Sequence, residues 1–300
     1  MIYDIYGKLL LDFTHLPMDI VHVILEYNSM IFCCIRDNQA YDINLAGKKW
    51  KWDSINDKCV EDWLKFDGAT IINCGNYVFY RGFHRNVEYI SLWNTINEDL
   101  KYICDQYDVR YSSTVYADDE KEQIYFIGGL TTGGKATQKC SVMKISNQKH
   151  ITLPSTNFFH VNAACLLWYN RLYVLGSTQD QYGFASSKCE YFDLSLSKWI
   201  PIRPFPADYF FSSSAVIWDF KKDIIILFTP LLPQLYSIRT DTWITTESYT
   251  SLDIPNLHSP NYCREFRYAK SFVIHTNNAY TWFVVYNTKM EKWNWKLLTF

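Results

Sequence analysis

The sequence has no surplus of charge of either sign: 29 Lys and Arg stand against 31 Asp and Glu, a formal net charge of −2. A protein that grips nucleic acid must neutralise many phosphates, so this balance argues against that class. Long apolar runs are also missing. No stretch of about eighteen apolar residues occurs, which argues against a membrane-spanning helix. The amino-terminal MIYDIYGKLL lacks the basic and apolar regions of a secretory signal. Glycine and proline are scarce, 11 and 9 residues, which excludes a collagenous or low-complexity chain. No N-x-[ST] acceptor is present, and the cysteines at 33, 34, 59, 74, 104, 140, 165, 189 and 263 contain no C-x-x-C pair. Free thiols in a reducing compartment are the expectation, and with them a cytoplasmic location. What is abundant is aromatic: 23 Tyr, 19 Phe and 11 Trp, enough for a large packed β core.

The aromatics recur in a phrase. YFDLSLSKW ends at Trp199, and related strings end at Trp50 (YDINLAGKKW), Trp243 (YSIRTDTW) and Trp293 (YNTKMEKW). Equal steps along the chain connect them: Trp50, Leu100, His150, Trp199, Trp243 and Trp293 are separated by 50, 50, 49, 44 and 50 residues. Upstream of each marker come two β-type runs divided by a short polar turn, as in NAACLLWYNRLYVLG and SAVIWDFKKDIIILF. These predict inner strands A and B. The Tyr-to-Trp phrase is then a hairpin of strands C and D, with a tight turn such as LSLS or RTDT between them.

Four apolar residues, a Gly-Gly pair, then a spaced Tyr and Trp form the motif of kelch repeats. QIYFIGG carries the diglycine, Gly128 and Gly129, in full; LYVLGS and VFYRGF keep one glycine each. The chain therefore resembles a kelch-repeat β-propeller over nearly its whole length, with degenerate repeats. That resemblance implies a single all-β domain over 1–300: a six-bladed propeller of four-stranded antiparallel blades. The units run over approximately 16–53, 64–104, 109–153, 158–203, 208–249 and 258–300.

A ring must close to avoid an unpaired strand edge. Residues 2–13 read as a strand that completes the last blade. If the carboxy-terminal unit already has four strands, that segment is instead a remnant of a seventh blade. LPMDIVHVILEY, residues 16–27, fits blade strand A; it also resembles the opening helix of an F-box, although the next strand arrives too soon for a three-helix module.

Signatures of catalysis are thin. The seven histidines, at 15, 22, 84, 150, 160, 258 and 275, show no pair at i,i+2 or i,i+4 spacing. His160 reads as a satisfied polar group at the head of an inner strand. GGLTTGGKAT falls short of a P-loop because Ala136 follows Lys135 where Ser or Thr is required. It reads as a glycine-rich loop between strands B and C. Asp118 and Asp119 read as a solvated hairpin tip. No catalytic residue, cofactor or metal is therefore expected, and the reading is that of a non-enzyme.

What remains is a surface for a protein partner on the B–C rim. The candidates are Arg81, Phe83, His84, Arg85, Lys135, Tyr182 and Phe184, an Arg-plus-aromatic composition typical of binding hot spots. Phe158, Phe159, Tyr209, Phe210 and Phe211 read as packing between blades. The resemblance implies a substrate-recognition or scaffolding role, akin to a ubiquitin-ligase adaptor, with a protein partner rather than nucleic acid or membrane. The other class left open is a propeller enzyme acting on a small molecule or sugar at the central channel.

Overall fold

A computed structural model describes residues 113–206 apart from 119 and 132, then 223–227 and 234–244. Elsewhere between 31 and 298 it describes strand backbone, with the side chains of Cys74, Tyr77, Phe79, Leu92, Asn94 and Ala215. The F-box-like segment, residues 2–13, Asp119, Arg85 and Tyr209 to Phe211 lie outside the described residues.

The protein is all-β. Among the described residues six antiparallel sheets form in chain order, and no helix does. The first holds β1 (Ile31–Arg36), β2 (Gln39–Asn44) and β3 (Lys49–Lys51); the second holds β4 (Asp67–Cys74), β5 (Tyr77–His84), β6 (Val87–Asn94) and β7 (Leu100–Ile103). The third comprises β8 (Thr114–Asp118), β9 (Gln123–Ile127), β10 (Cys140–Lys144) and β11 (Lys149–Leu153). In the fourth are β12 (Ala164–Trp168), β13 (Arg171–Ser177), β14 (Ser186–Asp193) and β15 (Lys198–Ile202). The fifth has β16 (Ser214–Asp219), β17 (Ile224–Phe228), β18 (Gln234–Ser237) and β19 (Thr242–Ile244). The sixth has β20 (Pro260–Phe266), β21 (Ser271–Thr276), β22 (Thr281–Asn287) and β23 (Lys292–Leu298). Each sheet is a meander, because each strand pairs with its neighbour in sequence. The sixth sheet draws four strands from the carboxy-terminal segment alone, so it does not need residues 2–13 to reach that number.

The first strands of successive sheets touch in chain order: β4 meets β8, β8 meets β12, β12 meets β16 and β16 meets β20, while β1 meets β4. Sheets so ordered pack face to face, and this explains the unbroken apolar runs. On β9, Ile124 and Phe126 join Cys74, Phe79 and Leu92 of the second sheet, whereas Tyr125 and Ile127 join Leu172 and Val174 of the fourth. On β13 the alternation continues, with Tyr173 and Leu175 turned toward Ala215, Ile225 and Leu227 of the fifth. Side chains alternate across a strand, so a sheet covered on both faces needs apolar residues at every position.

In three sheets the phrase sets an aromatic opposite its tryptophan, whereas in the first sheet Trp50 faces Asp42 and Tyr41 faces Lys51. Phe192 faces Trp199 across β14 and β15, Tyr236 faces Trp243 across β18 and β19, and Tyr286 faces Trp293 across β22 and β23. The two markers without tryptophan occupy the same place: Leu100 faces Trp93, and His150 faces Met143. In the fourth sheet the structure substitutes Phe192 for the expected Tyr191. One extra residue separates Tyr191 from the tryptophan, and a one-residue step reverses the face. Tyr191 consequently lies against Tyr173, ring centroids 5.3 Å apart, with the Arg171 guanidinium 4.9 Å above its ring.

Trp199 and Trp243 also tie their sheets to the preceding ones. Trp199 Nε1 donates to the Pro154 carbonyl at 2.8 Å, just beyond β11, and Trp243 Nε1 donates to the Arg203 carbonyl at 3.1 Å, just beyond β15. Asp241 strengthens the second tie: its carboxylate accepts from the Arg203 amide at 2.8 Å and from the Tyr236 hydroxyl at 2.6 Å.

Candidate functional site

The connection from β13 to β14, residues 178–185, is built around one side chain. Asp180 Oδ1 accepts from the amides of Tyr182 at 2.8 Å and Phe184 at 3.1 Å. Its own amide donates to the Phe184 carbonyl at 2.6 Å, and the Gly183 amide returns to its carbonyl at 3.1 Å. Asp forms such local bonds readily, and Gly183, at φ +86°, supplies the left-handed residue that the turn requires. The consequence is a rigid loop carrying two large apolar side chains outward: Tyr182 is 74% exposed and Phe184 71%.

Beneath this loop lies a buried polar hub. Gly176 is skipped in the β13–β14 register, Leu175 facing Cys189 and Ser177 facing Ser186, and its φ of +71° turns its carbonyl out of the ladder. That carbonyl lies 2.9 Å from His160 Nδ1, which must be the donor because a carbonyl only accepts. His160 Nε2 is 2.9 Å from Glu190 Oε1, and both side chains are fully buried. Glu190 further accepts from the Asn157 amide at 3.1 Å, the Asn157 side chain at 2.7 Å and the Phe158 amide at 3.1 Å. The expectation of a satisfied polar histidine is met. Glu190 fixes the 154–163 link that leads into β12, and Thr178 joins the next loop to it by donating to the Val161 carbonyl at 2.8 Å from its amide.

The diglycine completes the arrangement from the neighbouring sheet. Gly129 donates to the His160 carbonyl at 2.7 Å, and both glycines have positive φ, +57° and +99°. A Cβ on Gly128 would collide with the His160 carbonyl oxygen. Gly128→Ala is accordingly expected to cost about 1–3 kcal/mol from its left-handed backbone alone, with a further cost from displacing the link. Urea unfolding measures this; a loss under about 0.5 kcal/mol, the range of a neutral surface change, would show that the close approach is not needed.

The glycine-rich segment is a closed hairpin tip. Thr131 donates from its amide to the Lys135 carbonyl at 2.8 Å, and the Gly134 amide returns to the Thr131 carbonyl at 2.8 Å. Those amides serve the turn itself, which fits a B–C loop. Lys135 is exposed on it.

The other expected site residues fall differently. YRGFHRN is mostly strand: β5 runs through His84 and β6 begins at Val87, so Arg81 pairs with Thr70 and Ile90, and Phe83 with Asp67 and Glu88. Phe158 and Phe159 are half-buried, and the Lys188 ammonium lies 5.7 Å from the Phe158 ring centroid. Asp118 corrects the expectation of a solvated tip, being only 3% exposed at the end of β8. The apolar layer between sheets closes over the strand end, and Cys74 Sγ reaches its backbone carbonyl.

Sequence reasoning missed Asp180, Glu190 and Asn157. Asp180 had a legible signal, the D-x-x-G spacing of an Asx-type turn. Glu190 had none, since its partners come from a link some thirty residues upstream.

Two of the thiols are held back as nucleophiles. Burial pushes Cys165 up to about 12, and likewise Cys189, so the reactive thiolate is suppressed. Among the described residues, Cys74, Cys140, Cys165 and Cys189 are not in disulfides, no group of His, Cys, Asp and Glu is placed to hold a metal, and no helix is long and apolar enough to cross a membrane. The fold and this rim together define an all-β protein of repeated, face-packed sheets with structured loops at their B–C ends. No protein-family model matches the chain, and no curated protein matches it.

Proposed function

We propose that the chain is a six-bladed kelch-type propeller that recognises a partner protein through its B–C rim, acting in the cytoplasm as a substrate-recognition or scaffolding subunit. The observation that carries the reading is the Asp180-braced loop with Tyr182 and Phe184 outward. Exposed aromatics normally fold onto a surface, and two held out on a rigid loop lower the entropy of binding a partner. The face-to-face order of the sheets and the tryptophan ties between them support the propeller. Four strands in the sixth sheet favour residues 2–13 as a remnant of a seventh unit over a completing strand.

The test is affinity capture from a cytosolic lysate by the wild-type chain and by Tyr182→Ala/Phe184→Ala. The double variant is expected to keep its stability to within about 0.5 kcal/mol, as exposed substitutions do, and to lose the specifically captured protein. Equal capture by both forms would remove the rim from the reading and return attention to the opposite end.

A further inference from the structure

We infer that His160 and Glu190 share one buried proton that holds the root of the Tyr182–Phe184 loop, so that the rim loosens as pH rises. The consequence for binding rests on the proposed rim; the proton itself does not.

The proton count follows from the partners of one ring. His160 Nδ1 lies 2.9 Å from the Gly176 carbonyl and Nε2 lies 2.9 Å from Glu190 Oε1, with both side chains fully buried. A carbonyl only accepts, so Nδ1 carries a proton. A second proton must lie between Nε2 and Oε1, because two bare acceptors at that distance repel. A neutral imidazole beside an ionised carboxylate holds just one. The pair therefore holds one more, whichever of the two atoms carries it. Oε1 also accepts from the Phe158 amide, and Oε2 from the Asn157 amide and side chain. Donors in that number stabilise a carboxylate, which puts the extra proton on Nε2.

Its loss must break a bond. The neutral ring can keep Nδ1–H on Gly176 and turn a lone pair toward Glu190, or keep Nε2–H on Glu190 and turn a lone pair toward the Gly176 carbonyl. Either choice leaves two acceptors facing each other in a buried site, which is costly.

The neighbours of these residues form the root of the loop. Val161 donates from its amide to Ser177 Oγ at 2.8 Å, and its carbonyl accepts from the Thr178 amide at 2.8 Å and the Thr178 hydroxyl at 2.9 Å. Ser177 Oγ donates onward to the Gln179 carbonyl at 2.5 Å. His160 precedes Val161 and Gly176 precedes Ser177, so separating the ring from Gly176 or Glu190 pulls directly on this clamp.

The ionisable groups on the elements packed around the pair are few. The 154–163 link has His160 alone, and the 128–139 loop has the exposed Lys135 and Lys139. On β13 stand Arg171 and Tyr173, with the guanidinium over Tyr191. On β14 are Lys188, whose ammonium lies 5.7 Å from the Phe158 ring centroid, Cys189, whose thiol burial pushes up to about 12, and Tyr191 and Asp193 beside Arg171. The 178–185 loop adds the exposed Tyr182 and Asp180, whose Oδ1 accepts two amides.

The folded chain keeps the extra proton, whereas an unfolded histidine sheds it above about pH 6.5. The folded state then binds more protons than the unfolded one, so this contribution to stability is complete below that value and is lost as pH rises.

The first test is NMR of the full chain labelled with heavy-nitrogen histidine. At about pH 7.5, above the ordinary histidine value, one of the seven rings should carry protons on both nitrogens, and that signal should vanish in Glu190→Gln. In urea unfolding, the folding constant of the wild type should fall relative to Glu190→Gln by up to about tenfold per pH unit above about 6.5. Amide exchange read by mass spectrometry between about pH 6 and about pH 9 should show residues 155–163 and 176–185 losing more protection than β9, in the wild type and not in Glu190→Gln. Should that variant not fold, the wild-type spectrum and exchange decide. No doubly protonated ring, or exchange in both segments that tracks β9 at every pH, overturns the inference. These readouts need no partner. A doubly protonated ring with lysate capture indifferent to Tyr182→Ala/Phe184→Ala keeps the proton and rejects the rim; the reverse result keeps the rim and rejects the proton.

Discussion

Trp199→Ala is expected to lower the unfolding free energy by about 3–5 kcal/mol, the usual cost of truncating a buried aromatic. Trp199 is 4% exposed, packs on Phe192 with ring centroids 5.0 Å apart, and lies in the layer with Tyr125, Val142 and Leu172. Its removal leaves a cavity between the third and fourth sheets and frees the Pro154 carbonyl from its 2.8 Å bond. Trp199→Phe fills much of the cavity and loses the bond, so it should cost clearly less. Chemical denaturation of the three proteins measures the series. If both variants lost under about 1 kcal/mol, the tryptophan would not be the tie between sheets.

Glu190→Ala should destabilise on a comparable scale, about 3–5 kcal/mol, because it strips the partner from several groups at once and each buried donor left unsatisfied costs about 1–3 kcal/mol. Three N–H donors converge on this carboxylate, the Asn157 amide, the Asn157 side chain and the Phe158 amide, and His160 Nε2 lies 2.9 Å from it. Without it, the link into β12 loses its anchor and a buried imidazole loses a partner. Glu190→Gln keeps the shape and one acceptor oxygen, so it should fall between wild type and Glu190→Ala. A cycle with His160→Ala isolates the pair. Additive losses from the two single variants would show that His160 and Glu190 do not act together.

The two predictions concern different layers of the fold, and they were unequally visible beforehand. The tryptophan could be found by spacing alone. Its function as a tie follows from a repeat in which each unit must adhere to the next, and even Leu100 and His150, which have lost the aromatic, fall at the expected register positions opposite Trp93 and Met143. Glu190 was invisible because a glutamate in KCEYFD carries no local mark of burial. Its partners lie on the 154–163 link, and only the close packing of that link under the β13–β14 loop removes the carboxylate from water.

The candidate rim shows the same division. Tyr182 and Phe184 could be named from a long polar loop with two aromatics, and the diglycine from its motif. YRGFHRN, placed on the rim, is mostly strand, because length and composition do not show where a ladder stops. Val87 to Glu88 pair back onto Phe83 and His84, extending both strands and leaving only two residues to turn.

By itself, the sequence determined the all-β class, the repeated hairpin and the place of its tryptophan, because strand alternation and a period near fifty residues are local and repetitive signals. Tertiary structure alone decided which polar groups are buried, which loops are rigid and which aromatics stay outside. Those properties depend on distant segments meeting: Asp118 closes under an apolar layer, Glu190 gathers a link from upstream, and Gly128 is held against the His160 carbonyl. No local pattern encodes such meetings, since each is a balance of desolvation and hydrogen bonding that exists only once the sheets are packed.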